Sequence, residues 1–129
     1  MKSTDKPLQG AKVLVAEDEP ILALDIMKEL SQAGADVVGP ARTAARTLEL
    51  AAKENLSCGV IDVQLRDRLS FPAAEILRQR GIGIVFLTGQ NIEELKRDWP
   101  GAKVLAKPRH FGDLVKAVAE LLESKREVP

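Results

Sequence analysis

Apolar residues in this chain form five short, continuous runs separated by longer segments of mixed polarity. The runs are KVLVA (12–16), ADVVG (35–39), CGVIDV (58–63), GIVFLT (83–88) and KVLA (103–106). They are rich in Val and Ile and do not alternate between apolar and polar positions, which is typical of strands buried on both faces of a parallel sheet. The pattern therefore predicts five buried strands.

The segments between the runs carry apolar residues at helical spacing and predict helices. The first helix ends before Gly34, and its apolar stripe consists of Ile21 or Leu22, Ile26, Leu30 and Ala33. The second, TAARTLELAAKEN, has a candidate N-cap at Thr43 and a candidate stop at Asn55. Its apolar positions are Ala44, Leu48, Ala51 and Ala52.

The remaining helices differ in length and polarity. The third spans about 72–80 and ends at Gly81, with Ala73, Ile76 and Leu77 facing inward. The fourth, NIEELKRDW, is short and polar and is closed by Pro100 and Gly101, so we expect it to be the weakest helix. The last spans about 112–125, and its apolar face consists of Leu114, Val115, Val118, Leu121 and Leu122.

Strands and helices that alternate five times indicate an open α/β sheet with helices on both faces and right-handed crossovers. A chain of 129 residues fits one domain with a sizeable core. We expect a flexible leader over residues 1–9, the domain over 10–125 and a frayed tail over 126–129.

Composition narrows the class of partner. Basic and acidic residues balance at 19 each, aromatic residues make up 3% and Tyr is absent, which argues against a nucleic-acid or membrane surface. No apolar run approaches the length of about 20 residues that a membrane span needs. The single cysteine, Cys58, which we expect to be buried, and the polar N-terminus favour a reducing, cytoplasmic setting.

Charged residues concentrate where the predicted strands end. Glu17, Asp18 and Glu19 follow the first run, Asp62 ends the third, and Lys107 follows the fifth. Acids at the start of a helix could serve only as capping groups, or they could form one side of a cation site. In an open α/β sheet the carboxyl ends of the strands meet at one edge, where ligands bind.

Three carboxylates at that edge require a cation, because carboxylates roughly 5–6 Å apart repel by about 3 kcal/mol per pair at an effective dielectric near 20. Hard oxygen ligands in an open site favour Mg²⁺. A carboxylate beside Mg²⁺ that faces a lysine can act as a nucleophile toward a phosphoryl group. Asp62 is the natural choice because it ends a central strand, and Thr88 at the end of the fourth run supplies an orienting hydroxyl.

Four segments resemble the signatures of the response-regulator receiver domain (CheY-like) in their order along the chain. They are VLVAEDEP, VIDVQL, FLTG and LAKP, and the resemblance covers about residues 11–123. It implies a flavodoxin-like (βα)5 fold with strand order 2-1-3-4-5. VFLTG is also similar to the single-domain receivers that carry Phe-x-Thr-Gly-Tyr and a shortened fourth helix.

The resemblance implies roles for individual residues. Asp62 would accept phosphate from a histidine kinase or a histidine phosphotransfer protein, with Thr88 and Lys107 contacting the phosphoryl oxygens. Asp18 would bind Mg²⁺ directly and Glu17 through water. Asp62 and the backbone carbonyl of Gln64 would complete the protein ligands.

Such a domain is a phosphoacceptor of a bacterial two-component system that loses its phosphate slowly, and not an enzyme that acts on a separate substrate. We expect no output domain within these 129 residues, so the output would go through contact with a downstream protein, or the domain would serve as a phosphate sink. We expect a monomer or weak dimer.

The chain departs from the family pattern where phosphorylation is usually transmitted. Gln90 replaces the aromatic residue after Thr-Gly, and Val104 stands where many receivers keep a Tyr or Phe switch. KPRHF replaces the commoner Lys-Pro-Phe, so Phe111 is a candidate for that packing role. Side chains two past the acceptor and two past the Thr influence phosphoryl lifetime in this family, and both are glutamines here, Gln64 and Gln90.

Two other functions remain open. One is a pseudo-receiver, a binding module of the same fold without phosphate turnover, which the missing aromatic switch favours. The other is a small phosphohydrolase with an aspartyl nucleophile, which Gln64 disfavours because such an enzyme would place an acid there. Of the remaining residues, we interpret Glu19 as a first-turn helix acid, His110 as exposed polar surface and Trp99 as a packing anchor for the fourth helix.

Overall fold

The computed structural model describes residues 6–107 and 111–126 of the chain. Strands and helices alternate through it in the predicted order. They are β1 (Lys12–Ala16), α1 (Pro20–Gln32), β2 (Asp36–Ala41), α2 (Ala44–Lys53), β3 (Cys58–Asp62), α3 (Phe71–Gln79), β4 (Gly83–Thr88), α4 (Ile92–Asp98), β5 (Lys103–Ala106) and α5 (Phe111–Arg126).

The strands form one parallel sheet in the order β2-β1-β3-β4-β5, which confirms the predicted flavodoxin-like fold. The strand register brings the carboxyl ends into line. Ala16 pairs with Ile61, Asp62 pairs with Leu87, and Thr88 pairs with Ala106. Residues that end β1, β3, β4 and β5 therefore lie side by side at one edge of the sheet.

Each face of the sheet is covered by helices, as the continuous apolar strands predict. The prediction of five buried strands is wrong for β2 and β5, which are partly exposed because they are the edges of the sheet. Leu14, Ile61 and Phe86 belong to one buried layer, which packs against α2, α3 and α4. Val15, Val60 and Val85 belong to the other layer, which packs against α1 and α5. Cys58, at the start of β3, is buried as predicted.

Two helical faces differ from the predicted stripes. In α1, Leu22 packs against the core while Ile21 is 76% exposed, so Leu22 is the stripe residue. In α2, Leu48 and Ala52 are exposed and Thr47 is buried instead. A buried threonine is tolerated there because its hydroxyl donates a hydrogen bond of 2.7 Å to the carbonyl of Thr43.

The packed domain begins earlier than the predicted boundary at residue 10. Leu8 is fully buried, and its N–H donates to the carbonyl of Ala33 at 2.8 Å. Leu8, which lies within the flexible leader predicted over 1–9, therefore packs into the core. Residues 1–5 and 127–129 lie outside the described residues, and α5 extends to Arg126.

Trp99 anchors the carboxyl end of α4, as predicted. Its ring is stacked on Phe71 with centroids 5.9 Å apart and forms a T-shaped contact with Phe86 with centroids 5.3 Å apart. The guanidinium of Arg78 lies 4.0 Å from the centroid of the indole. These contacts hold a helix of only seven residues against the core. His110 and the side chain of Phe111 lie outside the described residues, so the predictions for them remain predictions.

Candidate functional site

Lys107 reaches across the carboxyl edge of the sheet to Glu17, which follows β1, and to Asp62, which ends β3. Its Nζ lies 2.5 Å from Oδ2 of Asp62 and 3.4 Å from Oε1 of Glu17. The backbone N–H of Lys107 donates to the carbonyl of Thr88 at 2.8 Å, which fixes where the side chain starts. The predicted lysine and carboxylates therefore do meet at one place.

Three carboxylates gather at this place. Glu17, Asp18 and Asp62 each offer an oxygen, and these oxygens lie within 4.8 Å of one another. Glu17 and Asp62 are only 1% and 4% exposed, so water screens their repulsion poorly. Oε1 of Glu17 is buried and meets Lys107 only as the 3.4 Å ion pair, without a hydrogen bond. An oxygen-lined cluster with an unsatisfied buried carboxylate atom fits a hard divalent cation such as Mg²⁺.

Burial also controls protonation in the cluster. It raises the pKa of Glu17 to about 7, and repulsion from Asp62 adds to this rise, while the hydrogen bond from the N–H of Glu19 opposes it. Burial alone would lower the pKa of Lys107, but its hydrogen bond to Asp62 and the charges of Asp62 and Glu17 raise it above its ordinary value. Lys107 is therefore a permanent cation at neutral pH.

The acidic residues Glu17 and Glu19, which follow β1, have different roles. Glu19 occupies the N-cap position of α1 and makes no side-chain capping bond, so the prediction of a first-turn acid is wrong by one position. Its N–H instead donates to Oε2 of Glu17 at 3.1 Å. One oxygen of Glu17 thus satisfies the backbone at the start of the helix and the other faces the cluster, so capping and cation binding are compatible here.

The turn after β3 holds Asp62 by hydrogen bonds from both sides. The N–H of Gln64 donates to Oδ1 of Asp62 at 3.2 Å. The hydroxyl of Ser70 donates to the backbone carbonyl of Asp62 at 2.8 Å, and Ser70 is fully buried. Sequence reasoning missed Ser70, because a small polar residue just before a helix carries no signal beyond that of an ordinary cap. The side-chain amide of Gln64 donates to the carbonyl of Leu65 at 3.1 Å.

Thr88 lies at the predicted edge, but its hydroxyl is bonded within its own turn. It donates to the carbonyl of Gln90 at 2.7 Å and accepts from the N–H of Gln90 at 3.2 Å. Among the described residues, the Thr88 hydroxyl makes no hydrogen bond to Asp62 or Lys107. The structure therefore places this hydroxyl beside the site without engaging it.

A cavity of about 480 Å³ opens next to Asp62. Gln64, Thr88 and Gln90 are among its polar lining residues, and Phe71 and Trp99 are among its apolar ones. A group bound there would be within reach of the Asp62 carboxylate. The arrangement of a buried carboxylate, a permanent ammonium group and a cation-binding acid cluster can support transfer of a phosphoryl group to Asp62.

No protein-family model matches the chain. Two curated proteins are similar to it over most of its length. Transcriptional regulatory protein PdtaR of Mycobacterium tuberculosis is 31% identical over 121 residues, which cover 91% of this chain and 59% of PdtaR. Phyllosphere-induced regulator PhyR of Methylorubrum extorquens is 28% identical over 118 residues, which cover 88% of this chain and 44% of PhyR. The chain thus spans less than two thirds of these relatives.

Solved structures agree with the fold. A response regulator receiver protein from Sinorhizobium medicae superposes with a TM-score of 0.82 at 26% identity, covering 92% of this chain and 98% of that one. The response regulator PhyR from Brucella abortus has a TM-score of 0.78 at 32% identity, covering 93% and 51%. The receiver domain of the sensor histidine kinase PA1611 from Pseudomonas aeruginosa, with magnesium coordinated in its active-site cleft, has a TM-score of 0.74 at 20% identity, covering 88% and 98%.

Within the described residues, no helix is long and apolar enough to span a membrane.

Proposed function

The chain belongs to the response-regulator receiver domains (CheY-like), and on that premise we propose that it accepts a phosphoryl group on Asp62 in a two-component phosphorelay. One observation carries the proposal: at the carboxyl edge of the sheet, Nζ of Lys107 lies 2.5 Å from Oδ2 of Asp62 and 3.4 Å from Oε1 of Glu17. The donor would be a histidine kinase or a histidine phosphotransfer protein.

Mg²⁺ would be held by Asp18 and Asp62, by Glu17 through water, and by the backbone carbonyl of Gln64. When bound, it neutralises charge on the phosphoryl oxygens. The magnesium seen in the PA1611 receiver supports this assignment, as does the acid cluster of this chain. Asp62 and Gln64 lie on one turn, which the hydrogen bond from Gln64 to Oδ1 of Asp62 closes.

In the transfer step a carboxylate oxygen of Asp62 forms a bond to phosphorus while the bond from phosphorus to the donor atom breaks. The donor leaves with the electron pair of that bond, which for a phosphohistidine restores the imidazole. Lys107 stays protonated and shifts its ammonium group from Asp62 toward the incoming phosphoryl oxygens. Thr88 can donate to the same oxygens once its hydroxyl leaves the carbonyl of Gln90.

Output would follow from protein contact, or the domain would act as a phosphate sink. Phosphorylation replaces the single negative charge of the Asp62 carboxylate with the charge near −2 of an acyl phosphate, and a local change of charge and size of this kind can bias a two-state loop. Loss of phosphate would be slow hydrolysis at Asp62, so the domain would be a phosphoacceptor rather than an enzyme with a separate substrate.

Intact mass after incubation with Mg²⁺ and acetyl phosphate tests the proposal. We expect a gain of one phosphoryl group in the wild type and none in Asp62→Asn. Asp36→Asn is the matched control, because this exposed aspartate starts β2 at the opposite end of the sheet. An adduct that persists in Asp62→Asn would show that the acceptor is misassigned.

A pseudo-receiver is the second candidate, favoured by the self-bonded hydroxyl of Thr88 and by Gln90 and Val104 at the positions of the aromatic switch. A wild type that stays folded, binds Mg²⁺ weakly or not at all, and gains no phosphoryl group would support this alternative. A wild type that gains the group would exclude it.

A further inference from the structure

Asp67 joins the loop after β3 to the amino end of α2. Its Oδ1 accepts from the N–H of Ala44 at 2.6 Å and its Oδ2 from the N–H of Ala45 at 3.3 Å, across more than 20 residues of sequence. The N–H groups of Ala44 and Ala45 are two of the backbone donors that have no partner within the helix at its amino end. The link therefore ties the loop that follows Asp62 to a different layer of the fold.

The loop after β3 is a compact turn, so a displacement of Asp67 would also displace Gln64. Gln64 and Leu69 form an antiparallel bridge, and the N–H of Leu65 donates to the carbonyl of Arg68 at 3.1 Å. Leu65 is only 1% exposed, which seats the turn on the core. Asp67 lies at the tip of this turn. The position of Gln64 thus depends on the core beneath the loop and on α2 beside it.

We propose that Asp67 is a positioning residue for the phosphoacceptor site, because its bonds to α2 hold the turn that carries Gln64 against Asp62. The inference rests on the proposed function, in which the carbonyl of Gln64 is a Mg²⁺ ligand. The N–H of the same residue donates to Oδ1 of Asp62. A displacement of this turn would move a ligand and a hydrogen-bond donor of the site together.

The charge of Asp67 suits this link. A carboxylate at the amino end of a helix is stabilised by the helix dipole. The hydrogen bond from Ala44 in particular lowers the pKa of Asp67, so the side chain is ionised at neutral pH. An asparagine would keep a single acceptor oxygen, and an alanine would keep none.

The helix does not need Asp67 for its own integrity. Thr43 is the local N-cap, and its hydroxyl accepts from the N–H of Arg46 at 3.0 Å. At the other end, Arg80 donates to the carbonyls of Ala51 and Glu54 at 2.6 and 2.9 Å. Removing Asp67 therefore releases the loop while α2 remains capped and anchored.

Asp67→Ala tests the proposal. Thr43→Ala is the matched control, because it removes the N-cap of the same helix and leaves the loop after β3 unchanged. Calorimetric titration with Mg²⁺ should give about tenfold weaker binding in Asp67→Ala, the lower range for loss of an outer partner of a metal site. Asp67→Asn should lie between Asp67→Ala and the wild type. Thr43→Ala should lower the unfolding midpoint while leaving the Mg²⁺ affinity unchanged. Equal loss of affinity in Asp67→Ala and Thr43→Ala, or none in either, would overturn the proposal.

Amide hydrogen exchange of the metal-free protein separates this inference from the proposed function. The amides of Gln64 and Leu65 should exchange about fivefold faster in Asp67→Ala, the factor that corresponds to one lost hydrogen bond. They should be unchanged in Thr43→Ala. Unchanged exchange in Asp67→Ala would refute the positioning role whether or not the wild type binds Mg²⁺. If Asp67→Ala does not fold, Asp67→Asn supports the same comparison with a smaller shift.

Discussion

The ammonium group of Lys107 lies 2.5 Å from Oδ2 of Asp62, although 45 residues separate the two along the chain. It also faces Oε1 of Glu17 at 3.4 Å. In the metal-free protein this one cation offsets the repulsion between two buried carboxylates. A Mg²⁺ ion bound at the acid cluster would therefore act on the same negative charges as Lys107, and a phosphoryl group would draw Lys107 away from Asp62.

Lys107→Ala should separate metal binding from phosphoryl transfer. Because a competing positive charge is removed, the Mg²⁺ affinity should stay the same or rise. The phosphorylation rate with acetyl phosphate should fall by about 100-fold, the usual cost of losing one donor to a developing anion. Lys103→Ala is the control, since Lys103 begins β5, the strand that Lys107 follows, and pairs with the exposed Glu120. A Lys107→Ala variant with an unchanged rate would contradict the role of this lysine.

Thr88→Val should slow phosphorylation by about tenfold or more, because the variant keeps the shape of the side chain but cannot donate to the phosphoryl oxygen. Thr88→Ser should restore most of the rate. The measurement is the initial rate of adduct formation by mass spectrometry. Thr47→Val, which removes a buried hydroxyl bonded within α2, should lower stability without changing that rate. Equal rates in Thr88→Val and Thr88→Ser would show that the hydroxyl has no part in the reaction.

Glu17 should make the stability of the metal-free protein fall as pH rises from about 4.5 to about 7. Its pKa is raised in the folded state, so the folded protein binds the extra proton in this range and loses that stabilisation as the proton leaves. Asp62 and Lys107 are the charged groups that face the Glu17 carboxyl. The resulting change in the free energy of unfolding is at most about 3 kcal/mol. Urea unfolding in EDTA at several pH values measures it.

Glu17→Gln provides the control for this pH dependence. The amide cannot ionise, so the slope between pH 4.5 and 7 should be smaller than in the wild type. Saturating Mg²⁺ should flatten the wild-type curve as well, because the cation stabilises the ionised carboxylate. A slope that is the same in Glu17→Gln would assign the pH dependence to other groups.

Gly34→Ala should destabilise the protein by about 1–3 kcal/mol, the range for a strained backbone position. Gly34 has a φ of +105°, and a Cβ there would lie 2.9 Å from the backbone N of Gln9. Gly101→Ala is the control, because a Cβ at Gly101 meets nothing within 4 Å and its φ is not positive. Urea unfolding should show a lower midpoint for Gly34→Ala alone, and equal midpoints would contradict the strain.

Local patterns were sufficient for much of the fold. The strand runs and helix ends were predictable because burial on both faces and helix capping depend on short sequence patterns, such as Val60 and Ile61 of β3 or the N-cap Thr43. Leu48 and Leu8 were misassigned for the opposite reason. Whether a single apolar side chain is buried depends on which neighbour packs over it, and periodicity does not encode that neighbour.

The sequence by itself determined which residues stand at the strand ends, and parallel pairing then required Glu17, Asp62, Thr88 and Lys107 to share an edge. Only the tertiary structure decided how they engage. It set the contact from Lys107 to Asp62 and turned the hydroxyl of Thr88 toward Gln90. It also recruited Ser70 and Asp67 as supports for the loop after β3. These partners come from loops and from distant parts of the chain, so long-range packing rather than local spacing selects them.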